Sequence, residues 1–233
     1  MGTSMTEQRG LDAGVAGRSA RREYERRRRR RQQKRRDGLA GLFAALMGPS
    51  AKERRRRSAE RSWATGARAE ELLAESLARR CPDVAVLHDR RLPRSRANID
   101  HIAVAASGVY VIDTKRYRGK IEVLKPLFAK PKLKIGGRHQ TKLVDGLANQ
   151  VAVVQEALAG VASQVPVHGC LCFVAPEGCL ADSGLPVLRT LKINGYPLYY
   201  PRRLAKRLNG SGPLSPEQAS TIHAELAVRL PEA

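Results

Sequence analysis

The sequence predicts an α/β fold in which helices sandwich a mixed β-sheet, and three observations lead to this class. Apolar residues recur at three- and four-residue spacing in three segments, 65–81, 142–160 and 215–230, as in amphipathic helices. Short runs rich in Val and Ile, bounded by Gly, Pro and Ser, lie between them and are typical of strands. The order is helix, several strands, helix, strand, strand, helix, which predicts an α/β sandwich around a mixed sheet.

The elements follow in order along the chain. The first helix (65–81) precedes a strand (83–92), a basic loop and a hairpin over 98–115. Residues 119–124 are predicted as a strand, 125–141 as a further hairpin or a loop, and 142–160 as the second long helix. Strands at 165–176 and 186–193 precede a short helix at 200–209. The last helix opens with Ser215, Pro216 and Gln218, which is a capping-box pattern.

An Arg-rich arm at residues 1–62 is expected before a domain at 63–233. The arm contains nineteen Lys and Arg against seven Asp and Glu, so it contributes +12 of the net charge of +21. Residues 21–36 have almost nothing apolar to pack, so the arm is predicted to be largely disordered, with a helical arm as the alternative. Such charge indicates nucleic acid as the first partner and an anionic membrane surface as the second. For the apolar insert at 38–48, contact with a membrane surface and docking onto the domain are alternatives.

A cytoplasmic location is expected from what the sequence contains. No signal peptide or membrane-spanning run is recognisable. The four cysteines, at 81, 170, 172 and 179, are few and unevenly spaced, which fits a reducing compartment. The Ala- and Arg-rich composition is typical of a bacterial protein.

Three charged residues interrupt the otherwise apolar hairpin: Asp100, Asp113 and Lys115. A turn of even length places all three on one face, because strand residues alternate and opposed residues share a face. A two-residue turn at 106–107 would set Asp100 opposite Asp113, and one at 107–108 would set it opposite Lys115. Two interpretations follow: a partly buried Asp–Lys ion pair, or a net negative site for a hard divalent cation.

A third carboxylate favours the cation site. Glu70 shares a face of the first helix with Leu73 and Leu77, so it is expected to point towards the sheet. Gln150 shares the apolar face of the second long helix with Leu147, and a satisfied core amide is the alternative for this residue.

The segments GARAEELL, LHDRRL, NIDHIAVAASGVYVIDTKRYRGKI and ANQ, in this order, resemble the nuclease-related domain (NERD). This family is a branch of the PD-(D/E)xK restriction-endonuclease-like superfamily, and the resemblance covers residues 62–175. The family has an acid on the first helix, an Asp opening the hairpin, an acid-x-Lys on the next strand and a Gln on the following helix. The matching residues are Glu70, Asp100, Asp113 with Lys115, and Gln150.

Three positions depart from the family pattern. Ile99 stands where the superfamily has Pro, Asp113 replaces the commoner Glu, and Ala69 occupies a usual Gly. The first two leave metal-binding capacity intact, because both carboxylates of the hairpin remain.

The resemblance implies a restriction-endonuclease-like core and metal-dependent hydrolysis of phosphodiester bonds. Asp100 and Asp113 would hold Mg²⁺ or Mn²⁺, and Glu70 would complete the metal site or bridge to it through water. Lys115 would activate the attacking water and stabilise the developing negative charge. Gln150 would complete the set of catalytic residues.

Basic residues concentrate beside this expected site, with ten Lys and Arg against one acid from residue 115 to residue 142. Aromatic residues make up 4% of the chain, which argues against stacking on single-stranded bases and favours sequence-tolerant contact with the backbone over base readout. DNA is the expected partner, with RNA as the alternative. A surface that serves solubility is the alternative. The expected phosphate contacts are Arg94, Arg96, Arg116, Arg118, Lys120, Lys130, Lys132, Lys134 and Arg138.

The sequence therefore predicts a metal-dependent nuclease with little sequence specificity. Two alternatives belong to other classes: a non-catalytic nucleic-acid-binding protein that retains the fold, and a basic protein associated with a membrane surface.

Overall fold

The computed structural model describes residues 12–36, 50–95, 97–175, 185–186 and 189–233, without the side chains of residues 34–36. The described residues form five helices and nine strands. In chain order these are α1 (Arg18–Arg36), α2 (Ala51–Arg80), β1 (Ala85–Arg91), β2 (Asn98–Ala105), β3 (Gly108–Lys115), β4 (Ile121–Leu124), β5 (Lys132–Ile135), β6 (Arg138–His139), α3 (Lys142–Leu158), β7 (Val167–Phe173), β8 (Lys192–Ile193), β9 (Tyr196–Tyr199), α4 (Pro201–Leu208) and α5 (Pro216–Arg229).

The main sheet has six strands in the order β1-β2-β3-β7-β9-β8. Strands β1, β2 and β3 are antiparallel, β7 runs parallel to both β3 and β9, and β8 is antiparallel to β9. The parallel β3–β7 pair needs a long crossover, which α3 and a three-stranded antiparallel sheet of β4, β5 and β6 supply. The mixed sheet predicted from the sequence is confirmed.

Helices cover both faces of this sheet because its strands are apolar on both sides. In β3, Val109 and Val111 join the core formed with α3, α5 and the small sheet. Tyr110 and Ile112 alternate with them and join a second core formed with α2 and α4. The sandwich predicted from the sequence is therefore present, and β3 is buried from Gly108 to Thr114, with Lys115 half-buried at its carboxyl end.

The Arg-rich arm is helical where the structure describes it, which is the alternative to disorder given above. Its residues 18–36 form α1, which packs along α2, and the boundary expected at residue 62 lies inside α2. Ion pairs between the two helices replace the apolar contacts that the arm lacks: Arg31 pairs with Glu60 at 3.1 Å, and Arg21 pairs with Glu71. Ala20 is the small residue that α1 buries.

Chain segments near both termini anchor α1 by covering the edge strand β1. The backbone N–H of His88 donates to the carbonyl of Ala13 at 2.7 Å, and the N–H of Arg91 donates to the carbonyl of Pro231 at 2.9 Å. The Glu232 carboxylate accepts a hydrogen bond from Arg18 at 2.6 Å, which ties the start of α1 to the end of the chain. An otherwise open sheet edge is thereby paired.

The structure agrees with the sequence prediction at residues 125–141 and at the start of the last helix, and differs from it after β7. The hairpin or loop expected at 125–141 contains β5 and β6, and Ser215 and Gln218 form the reciprocal capping box. The strand expected at 186–193 contains a strand at Lys192–Ile193 among its described residues, and β9 was not expected. The apolar insert at 38–48 lies outside the described residues. Within the described segments, no helix combines the length and the apolar character needed to cross a membrane.

Candidate active site

The turn between β2 and β3 decides how the charged residues meet. Residues 106–107 form a two-residue turn, and the strands pair from Ala105 opposite Gly108 to His101 opposite Ile112. Gly108 has φ +125°, and a Cβ there would lie 2.5 Å from a backbone carbonyl oxygen, so glycine is required. Continuing the register by one residue sets Asp100 opposite Asp113, as in the first of the two alternatives above.

Hydrogen bonds at the end of the hairpin hold both aspartates, which are buried, in fixed orientations. The backbone N–H of Thr114 donates to Oδ2 of Asp100 at 2.7 Å. The Lys115 ammonium donates to Oδ1 of Asp113 at 2.5 Å and to the carbonyl of Thr114 at 3.2 Å. The buried Asp–Lys pair weighed above is present, but it leaves the charge of Asp100 without a cationic hydrogen-bond partner among the described residues.

Glu70 approaches the same charges from α2. Its side chain is 7% exposed, and its Oε2 has no hydrogen-bond partner among the described residues. Burial, followed by the negative charges of Asp100 and Asp89, raises the pKa of Glu70 to about 10. Glu70 therefore lies on the buried face of α2, as its spacing from Leu73 and Leu77 predicts.

Burial and neighbouring charges also change the pKa values of Asp100 and Lys115 in the hairpin. Burial is the main cause that raises the pKa of Asp100 to about 7; the Lys115 charge opposes the shift, and the Asp113 charge adds to it. Burial alone would lower the pKa of Lys115, but Asp113 and Asp100 outweigh it and raise that pKa above its ordinary value. Lys115 is therefore an ammonium at neutral pH, within a cluster that has more acids than bases.

Gln150 projects from α3 to the same place. It is buried, and its Oε1 has no hydrogen-bond partner among the described residues, so it is not the fully satisfied core amide of the alternative interpretation. Glu70, Asp100, Asp113, Lys115 and Gln150 all line one open cleft of about 700 Å³. The structure thus brings together the five residues that the sequence singled out, and their catalytic roles remain predictions.

The donor set fits one hard cation held by two carboxylates. No three His, Cys, Asp or Glu side chains among the described residues are already arranged as metal ligands. Asp100 and Asp113 each have one oxygen engaged in the hydrogen bonds above, which leaves one oxygen each for a cation. The unpartnered oxygens of Glu70 and Gln150 are suited to waters of such a cation or to a small adjustment towards it.

The predicted phosphate contacts lie on several different elements of the fold. Arg116 lines the cleft itself, whereas the small sheet carries Lys132, Lys134 and Arg138. The remaining described ones lie in exposed connections: Arg94 before β2, Arg118 and Lys120 before β4, and Lys130 before β5. Lys120 is paired with Glu122 at 2.9 Å, and Arg96 lies outside the described residues.

Sequence reasoning missed the contribution of α1 and of the first half of α2. Ala20 of α1 and Arg61 and Trp63 of α2 also line the cleft. The guanidinium of Arg27 lies over the Trp63 ring, 5.7 Å from its centroid. The seven-residue spacing of Trp63 and Glu70 is a signal that could have indicated their common helix face.

Comparison with known proteins agrees with the resemblance predicted from the sequence. Residues 65–174 match the family model described as the nuclease-related domain. The matched range contains the five residues predicted from the sequence, whereas α1 and the first half of α2, which supply Ala20, Arg61 and Trp63, precede it. No curated protein and no solved structure matches the chain.

Proposed function

Because residues 65–174 are a nuclease-related domain, we propose that the cleft hydrolyses phosphodiester bonds of nucleic acid with the help of a divalent metal ion. The observation that carries this proposal is the buried cluster of Glu70, Asp100, Asp113 and Lys115 in one open cleft. A cluster with an excess of buried carboxylates is costly unless it binds protons or a cation.

Asp100 and Asp113 are the residues that would hold Mg²⁺ or Mn²⁺. When bound, the ion would supply Lewis-acid polarisation of a phosphate oxygen and make a bound water more acidic. The Thr114 N–H orients the Asp100 carboxylate, and the Lys115 ammonium orients that of Asp113. Glu70 and Gln150 would hold water molecules through their unpartnered oxygens.

Lys115 would stabilise the negative charge that develops on the phosphate. Its raised pKa supports a role as a fixed cation rather than as the proton acceptor, because an ammonium has no free lone pair. The hydrogen bonds to Asp113 and Thr114 pre-orient this charge before substrate binds.

DNA is the proposed substrate, bound mainly through its backbone. Arg116 in the cleft and the basic side chains of the small sheet would contact phosphates on either side of the scissile bond. Contacts of this type are sequence-tolerant, since phosphates carry no base information.

The test is cleavage of plasmid DNA and of RNA by the full chain in Mg²⁺, in Mn²⁺ and in EDTA. We expect cutting that requires the metal and that slows by roughly 100-fold or more in Asp113→Ala and in Lys115→Ala. Asp145→Asn, at an exposed acid of α3 outside the cleft, is the matched control and should cut at the wild-type rate. Cutting that persists in EDTA, or equal cutting by the cleft variants, would contradict the proposal.

A second candidate is a nucleic-acid-binding protein without catalysis. It is favoured by α1 and the first half of α2, which precede the nuclease-related domain and add charge rather than catalytic groups. A wild type that binds duplex DNA with steep salt dependence but cuts neither substrate would support it.

A further inference from the structure

Four arginines of the α1–α2 pair surround a second pocket, of about 240 Å³. Arg27, Arg30 and Arg31 come from α1, and Arg56 comes from α2. The single acid of the pocket, Glu60, is buried and pairs with Arg31 at 3.1 Å. The pocket therefore has three more positive charges than negative ones, and among the described residues neither Arg30 nor Arg56 forms an ion pair.

This arginine pocket and the cleft lie along one face of α2. Arg56, Trp63 and Glu70 are spaced by seven residues, which is close to two full helical turns each. Fourteen residues at 1.5 Å each place Arg56 about 21 Å from Glu70 along the helix axis. Arg27 belongs to the pocket and also covers Trp63, which belongs to the cleft, so it connects the two.

We propose that the arginine pocket binds backbone phosphates of a double-stranded nucleic acid whose scissile phosphate lies in the cleft. The axial rise of a duplex is 3.4 Å per base pair, so 21 Å along its axis corresponds to about six base pairs. A duplex is stiff over this length and can reach both sites without further ordering, which favours it over a single strand. The inference rests on the proposed function, and the residues that line the pocket precede the matched domain.

The charge pattern of α1 favours nucleic acid over a lipid surface as the partner. An interfacial helix needs an apolar face to enter the lipid headgroup region. Tyr24 is the one large apolar or aromatic residue among the nineteen of α1, whereas Arg occurs throughout the helix. Guanidinium groups without an apolar face are suited to phosphates that remain in water.

The test measures binding of the full chain to a labelled 20-base-pair duplex in EDTA, over a salt series. The double variant Arg30→Ala/Arg56→Ala removes two pocket cations, and Arg28→Ala/Arg55→Ala removes two exposed cations of the same helices that do not line the pocket. We expect the pocket variant to lower the slope of log K against log salt by about 2 and to weaken binding on the order of 50-fold at 0.1 M salt. The control should retain most of the wild-type slope, and wild type should bind the duplex more tightly than a single strand of the same length.

Three results would overturn the inference. One is a pocket variant that binds the duplex as tightly as wild type and with the same salt slope. Another is a control variant whose affinity and slope fall as much as those of the pocket variant, which would indicate that the overall charge of the helices, and not the pocket, binds the duplex. The third is loss of sedimentation with phosphatidylserine vesicles in the pocket variant while duplex binding is unchanged, which would assign the pocket to anionic lipid.

Binding in EDTA also separates this inference from the nuclease proposal. Metal-dependent cleavage with unchanged binding in the pocket variant would refute the pocket alone. Absence of cleavage together with the expected loss of slope would refute the nuclease alone.

Discussion

Replacing Glu70 with Gln should stabilise the metal-free protein, although it removes a residue of the candidate site. The folded state holds Glu70 protonated up to a pKa of about 10, against 4.5 as its ordinary value. Folding at pH 7 therefore takes up a proton, which costs up to about 3 kcal/mol at 1.36 kcal/mol per pH unit above 4.5. Gln has nearly the same shape and does not ionise, so the variant avoids this cost.

The sign of the pH dependence follows from the raised pKa. The native state binds more protons than the unfolded state between pH 4.5 and about pH 10, so wild-type stability falls as the pH rises through this range. The advantage of Glu70→Gln should be near zero at pH 4.5 and grow with pH. At pH 7 it corresponds to a melting temperature higher by up to roughly 6–12 °C.

The assay is thermal unfolding followed by circular dichroism in EDTA at pH 5 and pH 8. Glu75→Gln is the control, because Glu75 lies on the same helix but its side chain is 51% exposed. This substitution should change the free energy of unfolding by less than about 0.5 kcal/mol. A Glu70→Gln protein that is no more stable than wild type at pH 8 would refute the reasoning, since it would mean that buried Glu70 is already ionised.

Three further predictions concern the hairpin that carries Asp100, Asp113 and Lys115. Lys115→Met should abolish cleavage while Mn²⁺ binding is retained or strengthened, because the cation competing for Asp113 is gone; weaker Mn²⁺ binding by titration would contradict this. Affinity for Mg²⁺ should rise with pH through about 7, since a cation must displace the proton of Asp100, and a flat profile between pH 6 and pH 8 would argue against that displacement. Gly108→Ala should lower the melting temperature strongly because of the strained turn, whereas Gly160→Ala, which has open space around its Cβ, should not.

The sequence could predict the cleft because its signals are local and periodic. Strand alternation places Asp100, Asp113 and Lys115 together for any even turn, and helical spacing turns Glu70 inwards. The sequence left the turn position open between two alternatives. The structure selects residues 106–107, with Gly108 at a φ that other residues rarely adopt.

The α1–α2 pair could not be predicted from apolar periodicity. The two helices contact each other through ion pairs such as that of Arg31 with Glu60. In the sequence, an Arg-rich segment with few apolar residues is typical of a solvated or disordered region, so these contacts could not be recognised. The short strand β9 was not predicted because it contains Pro197, which is rare inside a sheet and argues against a strand. Its four residues are also too few to show an alternating apolar pattern. Tertiary pairing with β7 decides its conformation.

The most direct test of the central claim, a divalent cation at Asp100 and Asp113, is the melting temperature of the full chain as Mn²⁺ is added at pH 8. This measurement does not depend on which nucleic acid is the substrate. For a millimolar dissociation constant, 20 mM Mn²⁺ should stabilise wild type by about 2 kcal/mol, or roughly 4–8 °C. We predict a saturable rise in wild type and in Asp145→Asn that is lost in Asp113→Asn; an equal rise in all three proteins would contradict the cation site.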